Sequence, residues 1–190
     1  MAKTNLDKSN VSTGKPKAGG AVFVAPAGTP LPTDATTELS EAFVCVGFVD
    51  PDGVTVTPTE TANDFTEWGG STVDQDKSEF KETTAFAMLE SKAENMCLLY
   101  GDDAVTKTET GYRAVHRGGN DAERVMVIDT LIKNARVRRI GIPRAVFESM
   151  EAVKYSRTEL VKYAATFTNL YDETIDGCSV EYVSDKVVSE

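Results

Sequence analysis

Val54-Thr55-Val56-Thr57 alternates apolar and polar side chains with a period of two, the spacing of a strand. The stretch it opens, residues 53–88, carries a turn signal at Trp68-Gly69-Gly70-Ser71, where glycine takes positive φ without steric cost, and a second extended run over residues 72–88. The whole reads as one long β-hairpin. At about 3.3 Å per residue each arm reaches roughly 40–50 Å, against roughly five or six residues for a common strand. Between Val56 and Phe80 only Phe65, Trp68 and Val73 are strongly apolar. A lone two-stranded ribbon is marginal in water, and one this polar is not held by its own side chains. It is either a disordered loop or a ribbon that neighbouring strands complete. Its Thr, Val and Phe content favours the ribbon, completed by partner subunits, and so an assembly component.

Before the hairpin, residues 21–25 (AVFVA) predict a short strand, and prolines at 26, 30 and 32 a loop. Residues 43–49 predict a strand that is apolar on both faces and therefore buried. Asp50-Pro51-Asp52-Gly53 predicts a chain-reversing turn; a calcium loop would need further spaced carboxylates and a distal Glu. After the hairpin, Ser91-Lys92-Ala93-Glu94 reads as a capping box, Ala93, Met96, Cys97 and Tyr100 as an apolar stripe, and Gly101 as the end of a helix of about ten residues. So short a helix needs a sheet to pack on. The remainder predicts strands over residues 104–117, 125–128 and 136–142, an interruption at Pro143, and a last strand over 178–183. A second long hairpin is expected over residues 145–171 around Ser156-Arg157-Thr158, with Val161, Tyr163, Ala165 and Phe167 on one apolar face. Many short strands with one helix predict a mainly β fold, a β-sandwich or barrel with one flanking α-helix. The domain is expected over residues 21–183, after a flexible arm of residues 1–20 and before a polar tail of residues 184–190.

Charge sharpens this reading. The 190 residues carry a formal net charge of −10. That argues against gripping nucleic acid by counterion release, which needs clustered Lys and Arg, but not against a surface that must avoid gripping it. Residues 54–82 hold Glu60, Asp64, Glu67, Asp74, Asp76, Glu79 and Glu82 against Lys77 and Lys81, a net of −5. The arm has the opposite sign: Lys3, Lys8, Lys15 and Lys17 against Asp7, net +3, a segment expected to be disordered alone and able to order against an acidic neighbour. Cys45, Cys97 and Cys178 are widely spaced with no Cys-x-x-Cys, as for free thiols in a reducing compartment. No run approaches the roughly 20 apolar residues of a membrane span, and the first residues lack an apolar signal core, so no membrane anchor and synthesis in a cytoplasm are expected.

Chemistry-bearing motifs are absent from the sequence. His116 is the single histidine, which does not make a His-containing zinc site without a Cys cluster, and no metal or other cofactor is expected. There is no Gly-x-Ser-x-Gly elbow, phosphate-cradling loop or dinucleotide fingerprint, and the chain is expected not to be an enzyme. Arg136, Arg138 and Arg139 form a basic spot that is either a solvated strand face or a contact with an acidic neighbour. Trp68 at a Gly-rich tip is costly unless it packs into something, and Trp is enriched at interface hot spots. With Lys15 and Lys17, these are the candidates for contact between subunits.

The run LPTDATTELSEAFVCVGFVDPDGVTVTPTE resembles the N-terminal region of major tail tube proteins of long-tailed, non-contractile bacteriophages. Trp68-Gly69-Gly70 and the segment RVRRIGIPRA at residues 136–145 fit the same pattern, and the resemblance covers about residues 20–183. It implies a virion protein, made in the bacterial host cytoplasm, that assembles with itself into six-membered rings stacked as a tube. It also implies a tape measure protein and a tail terminator as partners, and DNA passing through the lumen without sequence-specific binding. Each subunit would contribute two hairpins, 54–88 and 145–171, to an inter-subunit barrel of 24 strands, which has no exposed edge. An acidic wall would repel DNA and let it slide. Lumen-facing candidates are Glu60, Asp64, Glu67, Asp74, Asp76 and Glu79. Because neighbours alternate faces, Asp74 and Asp76 should share one and Glu79 the other. A head–tail connector, a capsid decoration protein or a β-sandwich binding module are the alternatives; a binding module should group aromatics on loops, whereas the one Trp is isolated.

Overall fold

The computed structural model describes residues 11–17 and 19–184. Its elements in chain order are β1 Lys15–Pro16, β2 Val22–Pro26, β3 Val44–Cys45, β4 Val49–Thr66, β5 Thr72–Met88, α1 Ala93–Tyr100, β6 Val105–Thr108, β7 Gly111–Ala114, β8 Arg124–Ile132, β9 Arg136–Met150, β10 Tyr163–Asn169 and β11 Val180–Val183. Nine strands make one sheet in the order β3-β2-β8-β9-β10-β5-β4, with β1 added to β8 and β11 to β9, while β6 and β7 pair separately. The fold is mainly β with one α-helix among the described residues, as the strand pattern predicts.

β9 joins the two halves of the sheet. Its first part pairs with β8 on one side and β11 on the other, and its last part, from Ala145, pairs with β10. Pro143 does not interrupt it. The β8–β9 register shifts between Arg124 and Met126, so Pro143 sits in a bulge, where a residue without an N–H is tolerated. Val22 and Val24 of β2, Met126 and Ile128 of β8, Phe86 and Met88 of β5, and Ala165 and Phe167 of β10 belong to one hydrophobic cluster. The sheet therefore curls around a core that both halves share. Phe167 is at its centre, stacked on Phe86 at 5.5 Å and edge-on to Phe147 at 6.0 Å.

Helix α1 closes one side of this core, and it departs from expectation in two ways. It has eight residues, starts after Lys92 and has no side-chain cap. Both capping-box residues are engaged elsewhere: the Ser91 hydroxyl lies 3.0 Å from that of Tyr163, and Glu94 accepts from Lys107 Nζ at 2.6 Å. The buried face is Ala93, Asn95, Met96, Leu98 and Leu99, leaving Cys97 and Tyr100 half-buried. Asn95 Nδ2 donates to the carbonyls of Val46 and Glu90, both at 2.9 Å, and so ties the helix to the chain just after β3 and just after β5.

Other expectations also give way. Residues 104–117 form the β6–β7 hairpin rather than one strand, because Glu109-Thr110 turns the chain. The strand expected over 43–49 is reduced to Val44–Cys45, with Gly47 at φ 90° and Phe48 exposed. Asp50-Pro51-Asp52-Gly53 does not reverse the chain. It is a large bulge within β4, since Val49 pairs with Met88 and Val54 with Phe86. The second hairpin exists as β9–β10, but residues 151–162 between the strands form no strand, so its arms are shorter than expected. Of the arm, residues 1–10 and 18 fall outside the described residues, as does 185–190 of the tail; Lys15–Pro16 adds to the subunit's own sheet, opposite Leu131 and Thr130.

Candidate functional site

The long hairpin has a shared base and a free outer part. Residues 82–88 of β5 lie between β4 and β10, whereas residues 72–81 pair with β4 alone. At its tip Glu67 braces the turn. Its carboxylate accepts from the backbone N–H of Gly69 at 2.6 Å and of Ser71 at 3.2 Å, and these bonds hold its carboxyl below the usual carboxylate range, that from Gly69 most. Gly70 has φ 91°, which suits glycine alone without strain. Trp68 stands out from this turn at 105% relative exposure, with no cover from its own subunit.

Pairing decides which acids share a face, because directly opposed residues of two strands point the same way. β4 alternates without a break from Val54 to Thr66; both extra residues are on β5, at Ser78 and Val73. Each moves the side chains beyond it to the other face. Val54 and Val56, opposite Phe86 and Thr84, mark the face that packs on the core. Farther out this face carries Glu60 and Asp64. Lys77 Nζ reaches Glu60 at 2.6 Å, and Gln75 Nε2 donates to Asp64 at 2.8 Å. The opposite face carries Thr55, Thr57, Thr59 and Thr61, and the pairs Thr61–Glu79, Asn63–Asp76 and Phe65–Asp74. Strict alternation put Glu79 apart from Asp74 and Asp76. The bulge at Ser78 brings all three together.

This threonine-rich face continues onto β10 and β9. Glu148, the extra residue of a bulge in β9, accepts from Lys81 Nζ at 2.5 Å and from the Thr168 hydroxyl at 3.0 Å. The Lys81 bond chiefly, then burial acting the other way and Thr168, leave the Glu148 carboxyl below its ordinary value. Asp74, Asp76, Glu79 and Glu148 against Lys81 give this face a net of −3 per subunit. Where the free part begins, a buried polar group fixes the hairpin to β10: Asn169 Nδ2 donates to Glu82 at 2.8 Å and to the Thr84 hydroxyl at 2.9 Å. No spacing in the sequence announces this trio.

The basic spot at residues 136–139 comes apart in the structure. Arg139 is 1% exposed and is not available to a neighbour. Its Nε and Nη2 donate to Asp129 at 2.6 and 2.7 Å, and its Nη1 to the carbonyls of Asp34 and Thr37 at 3.0 and 2.6 Å. Alternation separates the three: Arg139 is on the sheet face opposite Ile140 and the core cluster, where the loop of residues 34–37 covers it, while Arg138 is exposed and pairs with Glu181 at 3.2 Å. Arg136 is half-buried. Lys17 approaches Asp129 at 4.0 Å and Lys15 is exposed on β1.

The loop that Arg139 holds is shaped by Asp34. Its carboxylate accepts from the hydroxyls and backbone N–H groups of Thr36 and Thr37 at 2.6–2.8 Å, the Thr37 hydroxyl weighing most, and these bonds hold its pKa far below the ordinary carboxylate range. A depressed folded-state pKa contributes stability above the unfolded value of about 3.9 and loses it only as pH falls through the folded value. Asp34 should therefore stay ionised at pH 3, while exposed carboxylates titrate near 4. A carboxyl-carbon NMR titration with an Asp34 midpoint near 4 would show that the loop is not clamped in this way.

Among the described residues no cluster of His, Cys, Asp and Glu suits a metal ion, and no helix is long and apolar enough to cross a membrane. The three cysteines are free, and the His116 ring stacks on Tyr100 at 4.3 Å.

Comparison with curated proteins yields no match. Among solved structures, the chain resembles the tail of an empty GTA particle computed with helical refinement and C6 symmetry, at 10% identity and a TM-score of 0.39, over 78% of this chain and 88% of that one. A family model described as phage tail tube protein matches residues 8–187. That match takes in the whole curled sheet, the helix and the long hairpin, and the chain belongs to the phage tail tube protein family.

Proposed function

We propose that the protein builds hexameric rings that stack into a phage tail tube, and that the face carrying Asp74, Asp76 and Glu79 lines the channel through which DNA leaves. Family membership makes it a structural component of a virion tail. The finer reading rests on one observation: the bulge at Ser78 gathers three acids on the face turned away from the core, among threonines and without an apolar cover. DNA carries about one charge per 1.7 Å of axis, and a basic wall would release counterions and hold it. Six copies of a face of net −3 would instead present −18 per ring and repel it.

The edges support the same reading. β4 ends the sheet, and β9 beyond Ala145 has β10 on one side only. Long unpaired edges invite pairing with another chain, and joining these two between neighbours closes a barrel without edges. Six copies of β4, β5, β10 and β9 supply its 24 strands. Electron microscopy of the purified protein tests this. Long hollow tubes are expected; single rings that never stack, or only dispersed subunits, would favour a connector or a decoration protein. Trp68, the single tryptophan, gives a parallel readout. Its emission should be that of a solvated indole in the subunit and shift to the blue on polymerisation. Emission unchanged between the two states would place it outside every interface.

A further inference from the structure

The two ends of the ribbon are unlike, and they complement one another. At one end the β4–β5 tip exposes Phe65, Trp68 and Val73 at 52%, 105% and 64%. Residues 60–76 around it hold five acids and no base. At the other end lies the segment of residues 151–162. It follows Met150 of β9 and precedes Tyr163, which pairs with Met88, the residue of β5 farthest from the tip. From Thr72 to Met88 the ribbon runs roughly 50 Å at about 3.3 Å per residue. This second end exposes Tyr155 and Leu160 at 74% and 75%. It carries three bases against two acids. Lys154 is paired with Glu159, and Lys162 with Asp50 of β4, which leaves Arg157 as the cation of the segment without an ion pair among the described residues.

We infer that these ends meet between copies: the tip of one subunit, led by Trp68, seats on residues 151–162 of a subunit in the next ring, against Tyr155 and Leu160, with Arg157 facing the acids around the tip. The occupant is a second copy of this chain. An exposed tryptophan at one end and an exposed tyrosine–leucine pair at the other are each costly in water, and tryptophan and tyrosine are the side chains that concentrate binding energy at interface centres. Two different surfaces meeting head to tail leave a free end of each kind after every addition. Such a contact, made between stacked rings along the axis, can repeat without limit, as a tube must. It sets the direction of stacking, whereas the strand edges join subunits within a ring. The inference rests on the tail tube reading.

A double-mutant cycle on polymerisation tests it. Trp68→Ala and Leu160→Ala should each raise the critical concentration for tube growth at least tenfold, with rings and the thermal unfolding of the subunit unchanged because both side chains are exposed. The double variant should be no worse than the poorer single within twofold, since residues in contact share one energy and distant ones add. Arg157→Glu should weaken growth further at low salt than at high salt. Single effects that multiply in the double variant, or a Leu160→Ala protein that polymerises like the parent, would overturn the pairing while leaving the tube intact. A parent protein that forms no tubes would overturn the tube and the pairing together.

Discussion

If the face of Asp74, Asp76 and Glu79 is the channel wall, lysine at these three positions should make that wall hold DNA instead of repelling it. The three side chains are exposed on one face of the ribbon. Exposed changes away from special features cost within about 0.5 kcal/mol, so the subunit should fold almost as before. Assembled tubes of the variant should then bind free DNA, and tubes of the parent protein should not. If a ring engages about six phosphates or more, the affinity should drop by roughly 10³-fold or more between about 50 and 200 mM salt. Particles built from the variant should eject DNA slowly. Glu60→Lys with Asp64→Lys changes the opposite face by +4, against +6 for the triple variant, and should not create binding in the channel. Normal ejection by the triple variant, or equal DNA binding by the two variants, would show that this face is not the wall.

The second large effect is on stability. Arg139→Met leaves Asp129, 2% exposed, buried without its bidentate partner and removes the donor to the Asp34 and Thr37 carbonyls. Removing one partner of a buried ion pair costs about 3–5 kcal/mol, and Asp129 would keep only Lys17, at 4.0 Å, as a cation among the described residues. At roughly 2–4 °C per kcal/mol for a chain of this size, the melting temperature should fall by about 6–20 °C. Asp129→Leu added to Arg139→Met should restore much of the loss, since replacing both ions with apolar groups is often neutral. Urea unfolding of the single and double variants reads this directly. A loss under about 1 kcal/mol in Arg139→Met would mean that the pair contributes little.

Much of the fold was legible because it follows from local pattern. The alternation at Val54–Thr57 and the Gly69-Gly70 tip marked the hairpin, and the apolar run at residues 125–128 marked strand β8. What could not be read depends on partners distant in sequence. Ser91 and Glu94 look like a cap, but Tyr163 and Lys107 claim them. Arg139 looks like a neighbour of Arg136 and Arg138 on a basic face, but it is buried against Asp129 across the ladder and under the loop of residues 34–37. Among the six acids, alternation alone joined Asp74 to Asp76. Glu79 joins them only through an unpaired Ser78, and Glu60 and Asp64 fall on the other face, against Lys77 and Gln75. A bulge is a property of two strands, and one strand read alone does not show it.

The most direct test is a helical reconstruction of the assembled tube at a resolution that shows side chains. It should show β4 of each subunit beside β9 of its neighbour in a closed barrel, with Asp74, Asp76, Glu79 and the threonines of β4 lining the lumen and Glu60 and Asp64 turned away from it. A lumen lined by Glu60, Asp64 and Phe80, or a barrel to which the long hairpin does not contribute, would contradict the account.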